Sequence, residues 1–533
     1  MTTTHIPFEE IRFFSSFISD YILEKRTLRN LYHRFPTLDN FKSQIKEKHE
    51  NYSNEHRKVL VSALEKQYQG IPTSNEVLEN INLLAKSNTF TVTTGHQLSL
   101  FTGPLYFIYK IISTINTAKL LSQTYPDYHF VPVYWEATED HDFEEINHFH
   151  LENKKIVWNS KQTGMTGNFN TQSLEKVYSV LKQEFGLGKY AEELNSLFKK
   201  SYLEHSSLAL ATRFLVNSLF KTYGLVVVDG NCSELKNLFA PYMERELFEK
   251  TAQKNVSQSV QEIQNINPSY PIQVNPREIN LFYLTPNGRN RIVNNEKHFE
   301  VLNTNLQFTE LEIRKELQEF PERFSPNVIM RPLYQEVILP NLCYIGGGGE
   351  IAYWLQLKRF FEAEKISFPM LMLRNSVLIT TQKQTKKINK LGIPIKDFFL
   401  KRNDLQNKIT KKWSEFPIDF TKQKTQLQKQ FVYLYELAEK TDTTFLNAVK
   451  AQEIKQLKGL NQLEKRLLKA QKRKFEDEIR RVIQLQEELF PSGSLQERFN
   501  NFSLFYQEEG YDFIETLIKE LNPFDFRFLV INQ

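Results

Sequence analysis

Twice in this chain an apolar, β-branched run empties into glycine and then into a helical pattern, and that order limits the fold more than any other feature. The first run, residues 89–94, leads into Gly95-His96-Gln97-Leu98-Ser99-Leu100-Phe101-Thr102-Gly103-Pro104. The second, residues 343–345, leads into Gly346-Gly347-Gly348-Gly349-Glu350. A strand that turns through glycine into a helix places backbone N–H groups and a helix N-terminus at the carboxyl edge of a parallel sheet. Four successive glycines lose conformational entropy on folding and pack nothing. In a chain with 18 glycines among 533 residues, such a run implies close approach of a ligand to the backbone.

The pattern continues on both sides. Pro104 suits a first helical turn, and Leu105, Ile108, Ile111, Ile112, Ile115 and Leu120 share one broad face. Residues 128–135 read as a second buried strand, 224–230 as a third and 370–373 as the last, so βα units alternate along the chain. This predicts an α/β fold, a doubly wound parallel sheet, in residues 88–380. Inserted connecting segments are expected at about 136–222 and 255–325. The second holds a hairpin over 272–293 that turns at Pro286-Asn287-Gly288. Residues 1–87 read as a helical segment packing on the core, with helices at 8–23, 38–68 and 74–84, and a helix is expected from Glu350 to about Glu364.

Composition shifts near residue 380. From 418 to 490 there is no proline and a single glycine, Gly459. Leu457, Leu460, Leu463, Leu467, Ala470, Phe475, Ile479 and Val482 approximate a 3-4 spacing. We read 381–490 as a long α-helical coiled-coil arm whose residues 418–490 form two helices, with Thr441-Asp442-Thr443 capping the second. A second helix of about 47 residues would span roughly 70 Å. Residues 491–533 return to mixed character and rejoin the core, ending in an edge strand or docking tail at 524–531.

The 42 Phe and 23 Tyr imply well-filled cores, and a formal charge of +5 gives no argument for nucleic acid as a partner. Two cysteines, Cys232 and Cys343, make no disulfide framework, and neither has an electropositive neighbour that would activate it. No apolar run reaches the length of a membrane helix, and residues 1–7 lack the pattern of a signal peptide. The expectation is a cytoplasmic protein with no membrane partner.

Three stretches carry chemistry. In the first turn Gly95, His96, Gln97, Thr102 and Gly103 offer donors to an anion. No Gly-Lys-Ser/Thr follows, so this is not a Walker loop. A tight turn with Thr102 as a helix cap is the plain structural alternative. The second stretch, residues 136–148, holds six carboxylates and two imidazoles just past a strand. Glu139, Asp140, His141 and Asp142 are the catalytic candidates: Asp140 or Asp142 for Mg²⁺, His141 as an acid or base near neutral pH. Asn147 and His148 follow as binding candidates, and an acidic, solvated helix start is the alternative. His148 and His150 lack the Cys or third spaced His that a zinc site needs, so no zinc is assigned and the metal is left open. The third stretch is Tyr344, Gly346, Gly347, Gly348, Gly349 and Glu350, with Trp354 as a pocket aromatic. Arg331 and Arg374 are placed to pair a carboxylate or phosphate, with surface ion pairing as the alternative.

At these residues the chain resembles the bacillithiol biosynthesis cysteine-adding enzyme family, the cysteine ligases. The resemblance rests on Thr94-Gly95-His96-Gln97, Leu100 to Pro104, Ile108-Tyr109-Lys110, Val131-Pro132-Val133-Tyr134-Trp135, Glu139 to Glu145 with Asn147-His148, Arg331 to Gln335, and Tyr344 to Gln356. The chain departs from the family at His96, where many relatives have Gln, and at Gly348, where Pro is common. The resemblance implies a Rossmann-like core with inserted segments and a coiled coil used for homodimerisation. It also implies addition of cysteine to glucosaminyl malate, the last step of bacillithiol synthesis. An amide bond between such partners needs an activated carboxylate, which brings in ATP and Mg²⁺, although the chain has no Lys-Met-Ser-Lys-Ser type loop. The competing reading is a coiled-coil assembly or regulatory protein with a vestigial nucleotide-binding fold.

Overall fold

The computed structural model describes residues 2–295 and 297–533. At its centre lies an all-parallel five-stranded sheet in the order Met370–Leu373, Asn341–Gly346, Thr89–His96, His129–Glu136, Val226–Asp229. Read from the Val226 edge and numbered along the chain, this is the doubly wound order 3-2-1-4-5. The order reverses between Thr89–His96 and Asn341–Gly346, and both of these strands end in the glycines singled out above. The central strands are buried almost throughout, which is why they are rich in apolar and β-branched residues, the buried Thr91, Thr93 and Thr94 hydroxyls each finding a hydrogen-bond partner. The helix Tyr106–Thr124 follows the first strand and is itself largely buried.

The N-terminal helices pack on this core, in shorter pieces than the sequence suggests. The pattern over 38–68 splits into Leu38–Asn51 and Asn54–Gln67, because Ser53 accepts from the Glu55 N–H (3.1 Å) and starts a new helix. A buried Lys48–Glu336 pair (3.2 Å) fastens the first of them. The expected 8–23 helix is reduced to Ser16–Ile22, capped by Ser15. Ahead of it only the single 3₁₀ turn Phe8–Glu10 is helical, and Thr2–Pro7 is a strand, antiparallel to Arg527–Asn532, which runs parallel to Val377–Thr380. The tail anticipated as an edge strand is therefore the middle of a three-stranded sheet.

The hairpin expected over 272–293 is shorter: it closes between Leu281–Thr285 and Gly288–Asn294, with Thr285 opposite Gly288, and residues 272–280 lie outside any strand. It belongs to a five-stranded antiparallel sheet that includes Phe324–Pro326. After the glycine run the single helix expected to Glu364 is two, Gly348–Trp354 and Lys358–Ala363. In the arm, Thr421–Ala438 pairs with Thr443–Lys474, and Asp442 caps the latter through the Phe445 N–H (2.8 Å). The helix expected at about 47 residues breaks at Phe475 and resumes as Glu476–Leu489. Phe475 packs edge-on to Trp413 (6.0 Å), and three carboxylates, Glu476, Asp477 and Glu478, follow it at once. Acids in a first turn favour a fresh helix start. Gly459 interrupts nothing.

Candidate active site

The strand ends converge on one cavity of about 440 Å³ at the switch point. Register brings them there: His96 stands opposite Glu136, Glu136 opposite Asp229, and Arg374 follows Leu373, the partner of Gly346. Gly95, His96 and Gln97 wall it from the first turn; Gly347, Gly349 and Glu350 wall it from the second. A Cβ on Gly95 would come within 3.6 Å of Arg331 Nη1 and 3.7 Å of Tyr344 Oη. These glycines keep the space between the walls open.

The second turn is not a set of free amides. Gly347 N–H donates to Glu350 Oε2 (2.8 Å), while Lys110 Nζ and Tyr344 Oη donate to the same carboxylate (2.9 and 2.7 Å). Burial works to raise the Glu350 carboxyl, but the Lys110 ammonium and the Gly347 amide outweigh it and hold it down at about 2. Lys110 is 2% exposed and also donates to Gly95 O, so one ammonium ties the two turns together. His96 stacks on Tyr106 (5.4 Å). Burial, then the Lys110 charge, pushes its imidazole down to about 3, leaving an uncharged ring whose Nε2 has no partner among the described residues.

The cationic lining differs from residue to residue. Arg374 forms a buried pair with Glu497 (2.7 and 3.1 Å), leaving only its Nε without a partner. Arg289 is braced by Ser325 Oγ (2.9 Å) and Pro326 O (2.8 Å) and lies 3.9 Å from Asp140. Arg331 donates to Gln335 Oε1 (3.1 Å) and reaches Tyr353 Oη at 3.4 Å; no carboxylate pairs with it among the described residues.

On the acidic side, Asp140 accepts from Gln97 Nε2 and from the His141 N–H, both at 2.7 Å. Burial alone would raise its carboxyl; hydrogen bonding from His141 and Gln97 and the Arg289 charge leave it well below the usual range. Glu139 pairs with the fully buried Lys236. Glu136 is 1% exposed; its Oε2 accepts from Arg213 Nη2 (2.9 Å) and Nε (3.3 Å), and its Oε1 has no partner among the described residues. Burial, with Asp229 sharing the same guanidinium at 3.5 Å, pushes the Glu136 carboxyl up to about 8 against the pull of Arg213.

Other candidates lie elsewhere. His141 and Asp142 are exposed outside the lining. Asn147 and His148 open a small hairpin, where the Asn147 carbonyl accepts from Trp158 N–H (2.7 Å) and its side chain holds His148 Nδ1 (2.9 Å). Trp354 is core, packed on Phe361 and Phe368. Gly346 sits beneath Tyr344 and Ile351, and Gly348 faces Ile18. Thr102 and Gly103 belong to a left-handed turn, with φ of +48° at Phe101, +68° at Thr102 and +64° at Gly103. The carbonyls of Phe101 and Gly103 accept from Asn501 Nδ2 (2.8 and 2.6 Å), and Leu105 N–H donates to Asn500 O (2.7 Å). That half of the turn docks the C-terminal segment, and Thr102 Oγ1 caps nothing.

The sequence model described as "Bacillithiol biosynthesis BshC, N-terminal Rossmann-like domain" matches residues 1–375, and its companion "C-terminal coiled-coil domain" matches residues 377–533. The chain belongs to the BshC family of bacillithiol biosynthesis, a family of ligases. Proteins named "Putative cysteine ligase BshC" from Flavobacterium johnsoniae, Cytophaga hutchinsonii and Bacillus cereus are 54%, 37% and 28% identical to it. The matches cover 100%, 96% and 96% of this chain and 100%, 95% and 97% of theirs.

Several residues of this BshC-family cavity escaped the sequence reading as site residues. Lys110 left a usable signal, the one charge in an otherwise uncharged stretch from Leu105 to Ala118. Glu136 closes an apolar strand, and Arg289 directly follows the hairpin turn. Arg498, also in the lining, left none, since only tertiary docking brings it there. Among the described residues no group of three or more His, Cys, Asp or Glu converges to hold a metal. Burial raises both thiols, Cys232 to about 11 and Cys343 well above its usual value, in keeping with unreactive cysteines. No described helix is long and apolar enough to cross a membrane.

Proposed function

We propose that the cavity joins the carboxylate of cysteine to the amine of glucosaminyl malate, the last step of bacillithiol synthesis, after ATP has activated that carboxylate. One observation carries this reading. A single cavity holds a guanidinium without a carboxylate partner among the described residues, Arg331, and a buried carboxyl pushed up to about 8, Glu136. An amine attacking an activated carbonyl has to be uncharged and has to shed a proton, and a group titrating close to the working pH is best suited to receive it. Glu136 takes that role through Oε1, since Arg213 holds only its Oε2, whereas Asp140 is too weak a base. Arg331 receives a malate carboxylate, which a planar guanidinium can grip with two parallel N–H donors. The turn Gly95–Gln97 faces the activating phosphates. Magnesium arriving with the nucleotide draws on Asp140, since one or two carboxylates suffice where phosphates supply the other oxygens.

The test is reconstitution. Purified protein, cysteine, ATP and glucosaminyl malate should yield bacillithiol by mass spectrometry, and deletion of the gene should leave glucosaminyl malate to accumulate. Absence of product, of ATP binding and of the metabolite phenotype would favour the scaffold reading instead. We propose further that the arm pairs with a second copy, as Val432, Tyr433, Phe445, Ile454 and Leu463 are exposed along it. Light scattering should give twice the 63.0 kDa chain mass, reverting to one chain in Ile454→Glu.

A further inference from the structure

The Rossmann-like domain does not finish the cavity. Its rim includes Arg498, from the part of the chain matched by the coiled-coil model. The short helix Gln496–Phe499 that carries it is pinned by its neighbours. Gln496 accepts from Ile379 N–H (3.0 Å) and donates to Ile379 O (2.9 Å). Glu497 accepts from Arg374 Nη2 (2.7 Å) and Val377 N–H (3.0 Å). Beyond the helix, Asn501 holds the left-handed turn. Gln496, Glu497 and Asn501 are 5%, 0% and 0% exposed, whereas Arg498 is exposed. Its guanidinium lies 6.0 Å from the Tyr106 ring, on which His96 stacks and which Arg374 faces at 5.0 Å.

The charges of the lining point to a use for it. Lys110, Arg289 and Arg374 each face a carboxylate of the chain, Glu350, Asp140 and Glu497. Arg331 and Arg498 have none among the described residues. Two uncompensated guanidiniums on one cavity match an oxyanion bearing two charges, each fork taking one carboxylate or phosphate group. We propose that Arg498 is a substrate-binding residue that, with Arg331, clamps a multiply charged anion, so that the C-terminal segment forms part of the active site. The anion carries at least two charges, on a dicarboxylate or on a polyphosphate; the first of these, as malate, rests on the ligase reading, while the clamp itself does not.

Full-length wild type, Arg498→Ala, Arg498→Lys and Arg331→Ala are titrated calorimetrically with malate and separately with pyrophosphate. KM for glucosaminyl malate and for ATP is then measured. Arg498→Ala should weaken one probe by roughly tenfold or more, the size of a lost hydrogen bond to a charged group. Lys should restore part of it, keeping the charge without the fork. In turnover the corresponding KM should rise while kcat holds, with no change in the unfolding midpoint. Weakened malate binding assigns the clamp to the dicarboxylate, and weakened pyrophosphate binding assigns it to the nucleotide. Unchanged affinity for both, or a wild type that binds neither, overturns the proposal. The two readings fail separately. Probe binding lost in Arg498→Ala, with no product from wild type, sinks the ligase reading alone. Product formed by Arg498→Ala with unaltered KM values sinks the clamp alone.

Discussion

The two glycine turns look alike in sequence and part company in space. The first is divided: Gly95 to Gln97 faces the cavity, while Phe101 to Gly103 turns left-handed and receives Asn501. The second keeps Gly347 and Gly349 on the cavity but hands its Gly347 amide to Glu350. A strand–glycine–helix junction therefore announces that something approaches the backbone without saying what. At one half-turn the approaching group is the chain's own C-terminal segment; at the other it is open space for a ligand.

If that segment is structural, the largest effect should come from its deepest anchor. Glu497→Ala leaves Arg374 buried without its carboxylate, and breaking such a pair costs about 3–5 kcal/mol. Urea unfolding should show that loss, with Glu497→Gln intermediate. Wild-type stability in the alanine variant would mean that the docking is incidental. Arg331→Ala is the counterpart on the cavity side. It should lose about 2–3 kcal/mol of substrate binding, near a hundredfold in kcat/KM, with little change in the unfolding midpoint, because no ion pair of the fold is broken.

The strand end beside the first turn can be read by pH. Unfolded, the Glu136 carboxyl ionises near its ordinary 4.5; folded, it keeps its proton up to about 8. The folded state then holds the extra proton across that window, so this group's contribution to stability falls as pH rises from 4.5 to 8. His96 acts at the other end. Its folded value of about 3 lies below the ordinary 6.5, so its contribution falls as pH drops from 6.5 toward 3. Glu136→Gln cannot ionise and should flatten the alkaline slope alone, measured as the unfolding free energy at pH 5 and pH 8. An unchanged slope would remove Glu136 as the proton acceptor.

The sequence revealed some of this and hid the rest for physical reasons. Central strands buried on both faces are rich in apolar and β-branched residues, so the parallel sheet and the ends of its strands were readable from residues alone. Cap chemistry was readable too, at Asp442. The break at Phe475 was hidden because a 3-4 spacing runs through it, whereas the Trp413 contact and the acidic first turn that follows mark it in the structure. The acidic stretch pointed to the right place but over-reached. Glu139 and Asp140 line the cavity, whereas His141 and Asp142, one and two residues further on, do not. Arg331 and Arg374 looked equivalent, and a residue 123 positions away from Arg374 separates them by neutralising it. Pairing across such a span leaves no local pattern.

The smallest effects test the comparison most directly, through one methyl group in each turn. Gly103 has φ +64° and ψ −136°, a region held almost only by glycine, and an added Cβ would lie 2.7 Å from Ser99 Cβ. Gly103→Ala should cost about 1–3 kcal/mol of stability. Gly347 has φ −74° and ψ 169°, open to any residue, and its Cβ would meet only Glu350 Oε2 at 3.5 Å and Arg374 Nε at 3.7 Å, ordinary contacts. Gly347→Ala should thus stay within about 0.5 kcal/mol of wild type, as surface substitutions do, while its methyl narrows the cavity and raises KM a few-fold. Chemical unfolding and steady-state kinetics on the two variants give the comparison its sharpest form, because the same atom is added to both turns. Equal destabilisation would show that the second turn, too, is filled by the chain itself, and its claim to a ligand would fall with the difference between them.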